Sequence, residues 1–548
     1  MTPGDILREL RRRAVLEIDA REWARKTAPL AVRRATGAKR VLFCEAVWML
    51  ATAKMESLFA AGLAREGYET HLLLPARNRA VERAFRATCP LAAVHTIQER
   101  LDASIREAGE ADAARVLEGA GLDALLGLEV DGFRIGRSAL SALVRRLRIG
   151  RLDESHREAA REALARAFAV KRVAQALIAE VQPDLAVFVE RGYTPAGEFF
   201  DGCVAAGVDT VQWLGAPQSD RLLFKRYRPE TRSDHPLALD DATWAAVKAA
   251  PFGAASETAL IETLAANYNS GAWFNRQQLQ VGKRAAGRDE ARAGLGVAPG
   301  RKAAGVFCHI LYDATFFYGE SLYPDYETWL IETVRHAIAN PNLDWLIKVH
   351  PVNVWRSKMD GKAMEQLEAA ALRREFGGLP PHVRLVPADT TLNTWAFFGA
   401  IDYGLTVRGT VGMEMPCLGI PTVTAGTGRY SGRGFTIDPA TREDYAAVLA
   451  TLHEVPPLDA ATTALARRYA HATFELRPVR FDSFGLDFDA RSWGLPERAM
   501  DVRLSDGAAG EFHARPDAAR LIAWLSRRRD ADFLNADIQP PVPTTGAP

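Results

Sequence analysis

Short apolar runs alternate with helical stretches twice over along this chain. The run RVLFCEAVWML (40–50) is β-branched and aromatic, and TAKMESLFAAGLAREGYETHLLLP follows it. There Met55, Leu58, Phe59 and Leu63 recur at helical spacing, Gly67 closes the helix, and 71–74 is a second apolar run. Strand, helix with a terminal glycine, then strand predicts a βαβ unit and a parallel sheet. The unit has no G-x-G-x-x-G turn, so the ordinary dinucleotide fingerprint is absent. From about 100 to 180 the pattern is Ala/Arg/Leu/Glu-rich helix interrupted by EVDGFRIGRS. PDLAVFVERGY, a helix through 198–206 and DTVQWLG then return to strand–helix–strand. Residues 215–285, with Pro217, Pro229, Pro236 and Pro251, read as an irregular connector.

A second series opens at Lys302 with the runs AAGVFCHIL, DWLIKVHP, HVRLVP, AIDYGLTV and IPTVTA. Helical stretches are expected between them at 327–339, 364–376, 391–398 and 412–418. Five strands with short crossovers predict another doubly wound sheet. The expected organisation is a helical lead-in (1–40), a first Rossmann-like lobe (41–235), a connector (236–298) and a second Rossmann-like lobe (299–455). A helical and irregular extension (456–530) and a tail (531–548) complete it; the last ten residues carry four prolines and are expected to be disordered.

Composition narrows the class. The 548 residues are 48% hydrophobic and 25% charged, enough for full cores, and Lys+Arg 69 against Asp+Glu 68 leaves +1. That balance lacks the basic footprint of a nucleic-acid binder. Five cysteines (Cys44, Cys89, Cys203, Cys308, Cys417) are odd in number and never spaced CxxC, which suits a reducing cytoplasm. No run approaches the ~18 apolar residues of a membrane span, and no apolar segment follows the charged N-terminus as in a secretory signal. The arginines Arg8, Arg11, Arg12 and Arg13 make either a solvated helix face or a peripheral contact with an anionic membrane.

Ligands of open parallel sheets bind at the carboxyl ends of strands, which directs attention to four strand ends. In LIKVHPVN, Lys348 and His350 share one face of an extended strand that Pro351 terminates. A cation beside a tunable imidazole suits a phosphate leaving group. In LTVRGTVGMEMPCLGIPTV, Gly409, Thr410 and Gly412 turn a strand into a helix whose first amides, with Arg408, make an expected anion site. Glu414, one turn in, is placed to accept hydrogen bonds from a ribose diol or to complement the helix dipole. HILYDATFF puts His309 and Asp313 in a strand-end loop, and VFVERGYTPAGEFF puts Glu190 at another. Glu190 is the expected base or nucleophile, with Glu45 its rival and Arg191 and Tyr193 acceptor-side candidates. The eleven histidines are scattered and no H-x-x-x-H, Walker A or G-x-S-x-G pattern occurs, so no metal site, NTPase or α/β-hydrolase is expected.

Over about 300–450 the chain resembles the bacterial capsule polysaccharide biosynthesis family, GT-B-type glycosyltransferases that include Kdo transferases. The resemblance rests on an ordered series: HILYDATFF, YPDYETWL, KVHP, PADTTLNTWAFFGAIDYGLTV, RGTVGMEMPCLGIPTV and AGTGRYSGRGFTIDPATREDY. The His-Pro pair followed by a hydroxyl-bearing turn is also similar to bacterial transferases that use CMP-activated sugars. The resemblance implies a GT-B-like α/β fold of two facing doubly wound domains and a cytoplasmic, metal-independent transferase without a cofactor. Its co-substrate would be a nucleotide sugar, CMP-linked among the candidates, and its acceptor a glycan or glycolipid. It further implies that His350 contacts the donor phosphate, that Arg408, Gly409 and Thr410 complete that pocket, and that Asp313 lines the cleft. The turn here is Arg-Gly-Thr instead of Ser-Ser or Ser-Thr, which leaves the donor open between CMP and UDP. The alternatives on the same architecture are a sugar-nucleotide epimerase or hydrolase, and a non-catalytic polysaccharide-export subunit.

Overall fold

The computed structural model describes residues 3–32, 38–45, 49–274, 279–360, 366–487 and 500–535. The first sheet takes β1 (Lys39–Cys44), β2 (Tyr68–Leu74), β3 (Leu91–Thr96), β4 (Leu185–Phe188), β5 (Asp209–Gly215) and β6 (Arg221–Tyr227). The second takes β7 (Ala303–Phe307), β8 (Asp344–Lys348), β9 (Val383–Val386), β10 (Tyr403–Thr406) and β11 (Thr422–Thr424). A short strand, β12 (Val479–Arg480), returns to the edge of the first sheet.

Both sheets have the same winding. The first runs β12-β6-β5-β4-β1-β2-β3, and the second β11-β10-β7-β8-β9, every pair in the second being parallel. In each, the first strand of the lobe is central and the chain reverses direction of growth beside it, between β1 and β4 and between β7 and β10. These are topological switch points, where the loops diverge and leave a crevice. The fold is thus α/β of GT-B type: two Rossmann-like lobes with their switch points at strand ends.

Near-continuous apolar strands allow both faces of each sheet to be covered. Helix Leu50–Arg65 is buried along nearly its whole length, its alanines and Gly62 giving a thin surface. A Cβ at Gly62 would collide with Ile522 of the helix Pro516–Ser526, so the glycine sets how closely the C-terminal helix docks on the first lobe. The second lobe's strands separate two clusters, one with Leu346, Phe397 and Phe398, the other with Trp345, Ile347 and Trp329.

Several expectations need correction. Part of the expected connector is ordered sheet: β6 pairs antiparallel with β5 over Thr210–Gly215 and Leu222–Tyr227, and helices Asp241–Ala249 and Ala254–Ser270 follow. Its prolines fall between these elements and not inside them. The C-terminal extension is no appendage, since β12 and the helix Pro516–Ser526 complete the first lobe's sheet and core. A helix, Val352–Asp360, follows the His-Pro pair directly. Met364, the side chain of Arg8 and the proline-rich end lie outside the described residues.

Candidate active site

The loop after β7, the turn after β10 and the loop after β11 meet at the second lobe's switch point. His309 joins the first two. Its Nε2 lies 3.3 Å from both the Val407 and Arg408 amides, which donate to it, and 3.2 Å from Thr406 Oγ1. Two donating amides require Nε2 to be the bare nitrogen, so the neutral ring carries its proton on Nδ1. The ring also stacks on Tyr326, centroids 4.3 Å apart. Burial, then the charges of Arg408, His350 and Arg429, hold His309 well below the usual histidine range.

Arg408 is buried and donates to the Glu320 carbonyl, at 3.1 Å, and to the Ser321 hydroxyl; among the described residues its Nε and Nη1 have no hydrogen-bond partner. Arg429, in the loop after β11, has a buried Nε without a partner, and burial works against its charged form. Among the described residues no carboxylate pairs with either guanidinium. Leaving buried donors unsatisfied costs about 1–3 kcal/mol each, more when the group is charged. Guanidiniums left without a carboxylate favour an anion beside them.

The turn differs from the expected helix-end cradle. The helix after it is only Val411–Glu414. The Gly409 amide donates to Thr406 Oγ1 at 3.1 Å, and the Gly412 and Met413 amides to the carbonyls of Gly409 and Thr410. The guanidiniums, and not these amides, supply the positive charge. Gly412 is required for packing: a Cβ there would collide with the Tyr430 hydroxyl, which donates to the Gly409 carbonyl at 2.8 Å. Thr410 is half-buried beside Glu414.

Lys348 and His350 follow the same switch point from β8. Lys348 is 4% exposed, with its ammonium 5.9 Å from the Phe397 ring centre, and burial followed by the charge of Lys283 brings it down to about 7. The amide of Val352 donates to His350 Nδ1 at 3.2 Å, so the neutral imidazole keeps its proton on Nε2 and can donate it to a ligand. Burial, then Lys348 and Arg356, lower His350 to about 3. β8 ends at Lys348, so His350 lies just beyond the strand, and Pro351 opens the helix that carries Arg356.

Arg356 leads across the cleft. It donates to Asp313 Oδ2 at 2.9 Å, while Tyr193 of the first lobe donates to Asp313 Oδ1 at 2.6 Å. Arg145 lies over the Tyr193 ring at 4.3 Å, 3.8 Å from Asp313 and 3.7 Å from Glu190. Glu190, Tyr193 and Asp313 are therefore brought together with Arg145 and Arg356 in one network spanning both lobes. The amides of Arg191 and Gly192 donate to Glu190 Oε1, but burial outweighs them and Arg145 and raises its carboxyl.

Three expected site residues lie elsewhere. Glu45 faces inward: Thr52 donates to its carboxylate at 3.1 Å, and burial with neighbouring Glu56 raises it well above the usual carboxyl range. Arg191 is locked, donating to Gln212 Oε1 at 2.9 Å and to the carbonyls of Arg232 and Asp234, with Phe200 and Tyr227 stacked against it. Glu414 is fully buried, accepts from Tyr268, and is raised by burial to about 7; its visible partner is a phenol and not a ribose pocket. Arg429 was not singled out from sequence. Its signal is the pattern that marked Arg408, an arginine in a glycine-bearing turn (AGTGRY) after an apolar strand. On the first lobe, a cavity of about 520 Å³ opens at the ends of β2 and β3, among Pro75, Ile97, Leu101, Arg106, Arg166 and Pro195.

No protein-family model matches the chain, and no curated protein matches it in sequence. Among solved structures it is similar to the KpsC β-Kdo 2,4-transferase of Thermosulfurimonas dismutans, at 13% identity and TM-score 0.31, covering 54% of this chain and 81% of that one. It is also similar to the UDP-GlcNAc 2-epimerase of Neisseria meningitidis bound to UDP-GlcNAc, at 10% identity and TM-score 0.25, covering 80% and 97%. A glycosyltransferase of Rickettsia africae gives 7% identity and TM-score 0.25, covering 81% and 95%. Likenesses this distant do not bear on activity.

Proposed function

We propose that this protein is a glycosyltransferase that moves a sugar from a nucleotide-activated donor to a growing surface polysaccharide or related glycoconjugate. The observation that carries the reading is the pair Arg408 and Arg429, whose buried nitrogens have no partner and which pair with no carboxylate among the described residues. A donor phosphate would satisfy both, and the charge developing on the leaving phosphate would strengthen those contacts in the transition state. Two guanidiniums suit a donor bearing two negative charges, CMP- or UDP-linked, with Kdo or another acidic sugar among the candidates. The same guanidiniums, with His350 donating from Nε2, would take the leaving group's charge without a metal ion. Glu190, raised by burial, would accept the acceptor hydroxyl's proton or attack the sugar carbon, and Tyr193 and Asp313 would hold the lobes in register. The acceptor glycan or glycolipid is proposed to approach along the first-lobe cavity at the ends of β2 and β3. Cytoplasmic placement with peripheral membrane contact belongs to the same proposal.

The test begins with a thermal-shift screen of CMP, UDP, GDP and CDP. The matching nucleotide stabilises the native state by about 2.7 kcal/mol at a hundredfold excess over its dissociation constant. With the donor so chosen, His350→Ala abolishes transfer while the melting transition stays cooperative. Wild-type turnover in that variant rejects the mechanism, and equal donor turnover with and without acceptor converts the reading to an epimerase or hydrolase.

A further inference from the structure

The N-terminal helix Pro3–Thr27 is 25 residues long, which is about 37 Å. Only its second half is held. Leu16, Ala20, Trp23 and Thr27 are buried against the first lobe, Trp23 Nε1 donates to Ser57 Oγ at 3.2 Å, and Lys54 pairs with Asp19 at 2.6 Å. Among the described side chains before Leu16 none is fully buried, and Glu9, Arg12 and Val15 are half-buried, so the first half leaves most of its surface uncovered.

That projecting half carries apolar side chains. Of six large hydrophobic residues left exposed among the described residues, four are on this helix: Ile6 (48%), Leu7 (70%), Leu10 (57%) and Ile18 (66%). At 100° per residue, Leu7, Leu10, Ala14 and Ile18 form one stripe on the side opposite the buried Leu16, Ala20 and Trp23. Arg11 and Arg25 are exposed on the same stripe and Arg13 flanks it; Arg12 lies on the held face, and both Arg12 and Arg13 pair with Glu9.

We propose that this helix seats the protein on an anionic lipid surface, with the Leu7–Leu10–Ile18 stripe at the acyl boundary and the arginines among the headgroups. The mixed stripe decides between occupants. A protein partner, a second copy included, would have to bury Arg11 and Arg25 along with the leucines, at a desolvation penalty. At a bilayer interface the aliphatic side chains enter while the guanidiniums snorkel to phosphate. Among the described residues no helix is long and apolar enough to cross a membrane, so this contact lies on the surface.

The experiment is co-sedimentation of the full chain with vesicles of phosphatidylcholine alone, or with phosphatidylglycerol in equal parts. Wild type is expected to bind the anionic vesicles, weakly the neutral ones, and less as salt is raised from ~0.1 M to ~0.5 M. Leu7→Glu/Leu10→Glu is expected to lower the anionic-vesicle affinity about tenfold or more. Both side chains are exposed, so an unchanged melting temperature and an unchanged nucleotide shift show that fold and site survive. Absence of wild-type binding, or equal binding by the variant, overturns the proposal. So does a wild-type dimer in light scattering that the double variant dissolves, which would assign the stripe to a second copy.

Discussion

At the scale of single residues, the site is organised by buried charged groups that the fold holds at a cost. The charges of Arg408 and Arg429 both act on the same histidine, His309, and neither pairs with a carboxylate among the described residues. The interior of a protein seldom keeps charge this way unless an anion completes it. Arg429→Met should therefore leave the melting temperature of the empty protein unchanged or raised, because an unpaired guanidinium is removed. Donor affinity should fall by roughly 10- to 100-fold, as for a lost charge-assisted hydrogen bond. Thermal melts and calorimetry on the same sample check both; a destabilised variant with intact affinity would make Arg429 a structural residue. His350 belongs to the same account. Lowered to about 3, it enters the reaction neutral, as a hydrogen-bond donor through Nε2.

At the scale of elements, the glycine-bearing turn after β10 is a packing device first. Tyr430 reaches over Gly412 to hold the Gly409 carbonyl, and this fixes the path of the chain that carries Arg408. Gly412→Ala should cost about 1–3 kcal/mol of stability, the usual penalty for overpacking. Adding Tyr430→Ala removes the colliding phenol, hydroxyl and ring carbons together, so the double variant should lose less than the sum of the two singles. Urea denaturation of the four proteins in a double-mutant cycle measures this, and strict additivity would contradict it. Short, apolar parallel strands and the helices between them are legible in sequence because burial imposes their periodicity. The helix after Pro351 and the strand β6 are not, because proline and charge punctuate their flanks as they do in loops.

At the scale of the molecule, the C-terminal segment ties the chain together. Asp532 accepts from Lys225 at 3.1 Å and forms an ion pair with Arg477 at 3.1 Å, and all three are fully buried. Asp532→Asn should destabilise the protein by about 3–5 kcal/mol, since two buried cations lose their only shared anion. Chemical denaturation followed by tryptophan fluorescence reads the change, with Trp524 packed beside this segment. A loss under ~1 kcal/mol would show that the triad is neutralised in another way.

Local pattern sufficed for two doubly wound lobes and for naming the strand ends after β4, β7, β8 and β10, with Arg408 and His350, as candidates. Those features follow from side-chain periodicity and from where strands must end. Tertiary structure alone decided which candidates meet. It turned Glu45 and Glu414 into buried partners of Thr52 and Tyr268, and Arg191 into a lock for two carbonyls. It brought Arg429 to Arg408, and Asp313 to Tyr193 of the other lobe. The reason is physical: whether a polar side chain is an unsatisfied donor or a satisfied one depends on neighbours that only the folded chain brings to it, from Thr52 seven residues beyond Glu45 to Tyr268, 146 residues from Glu414.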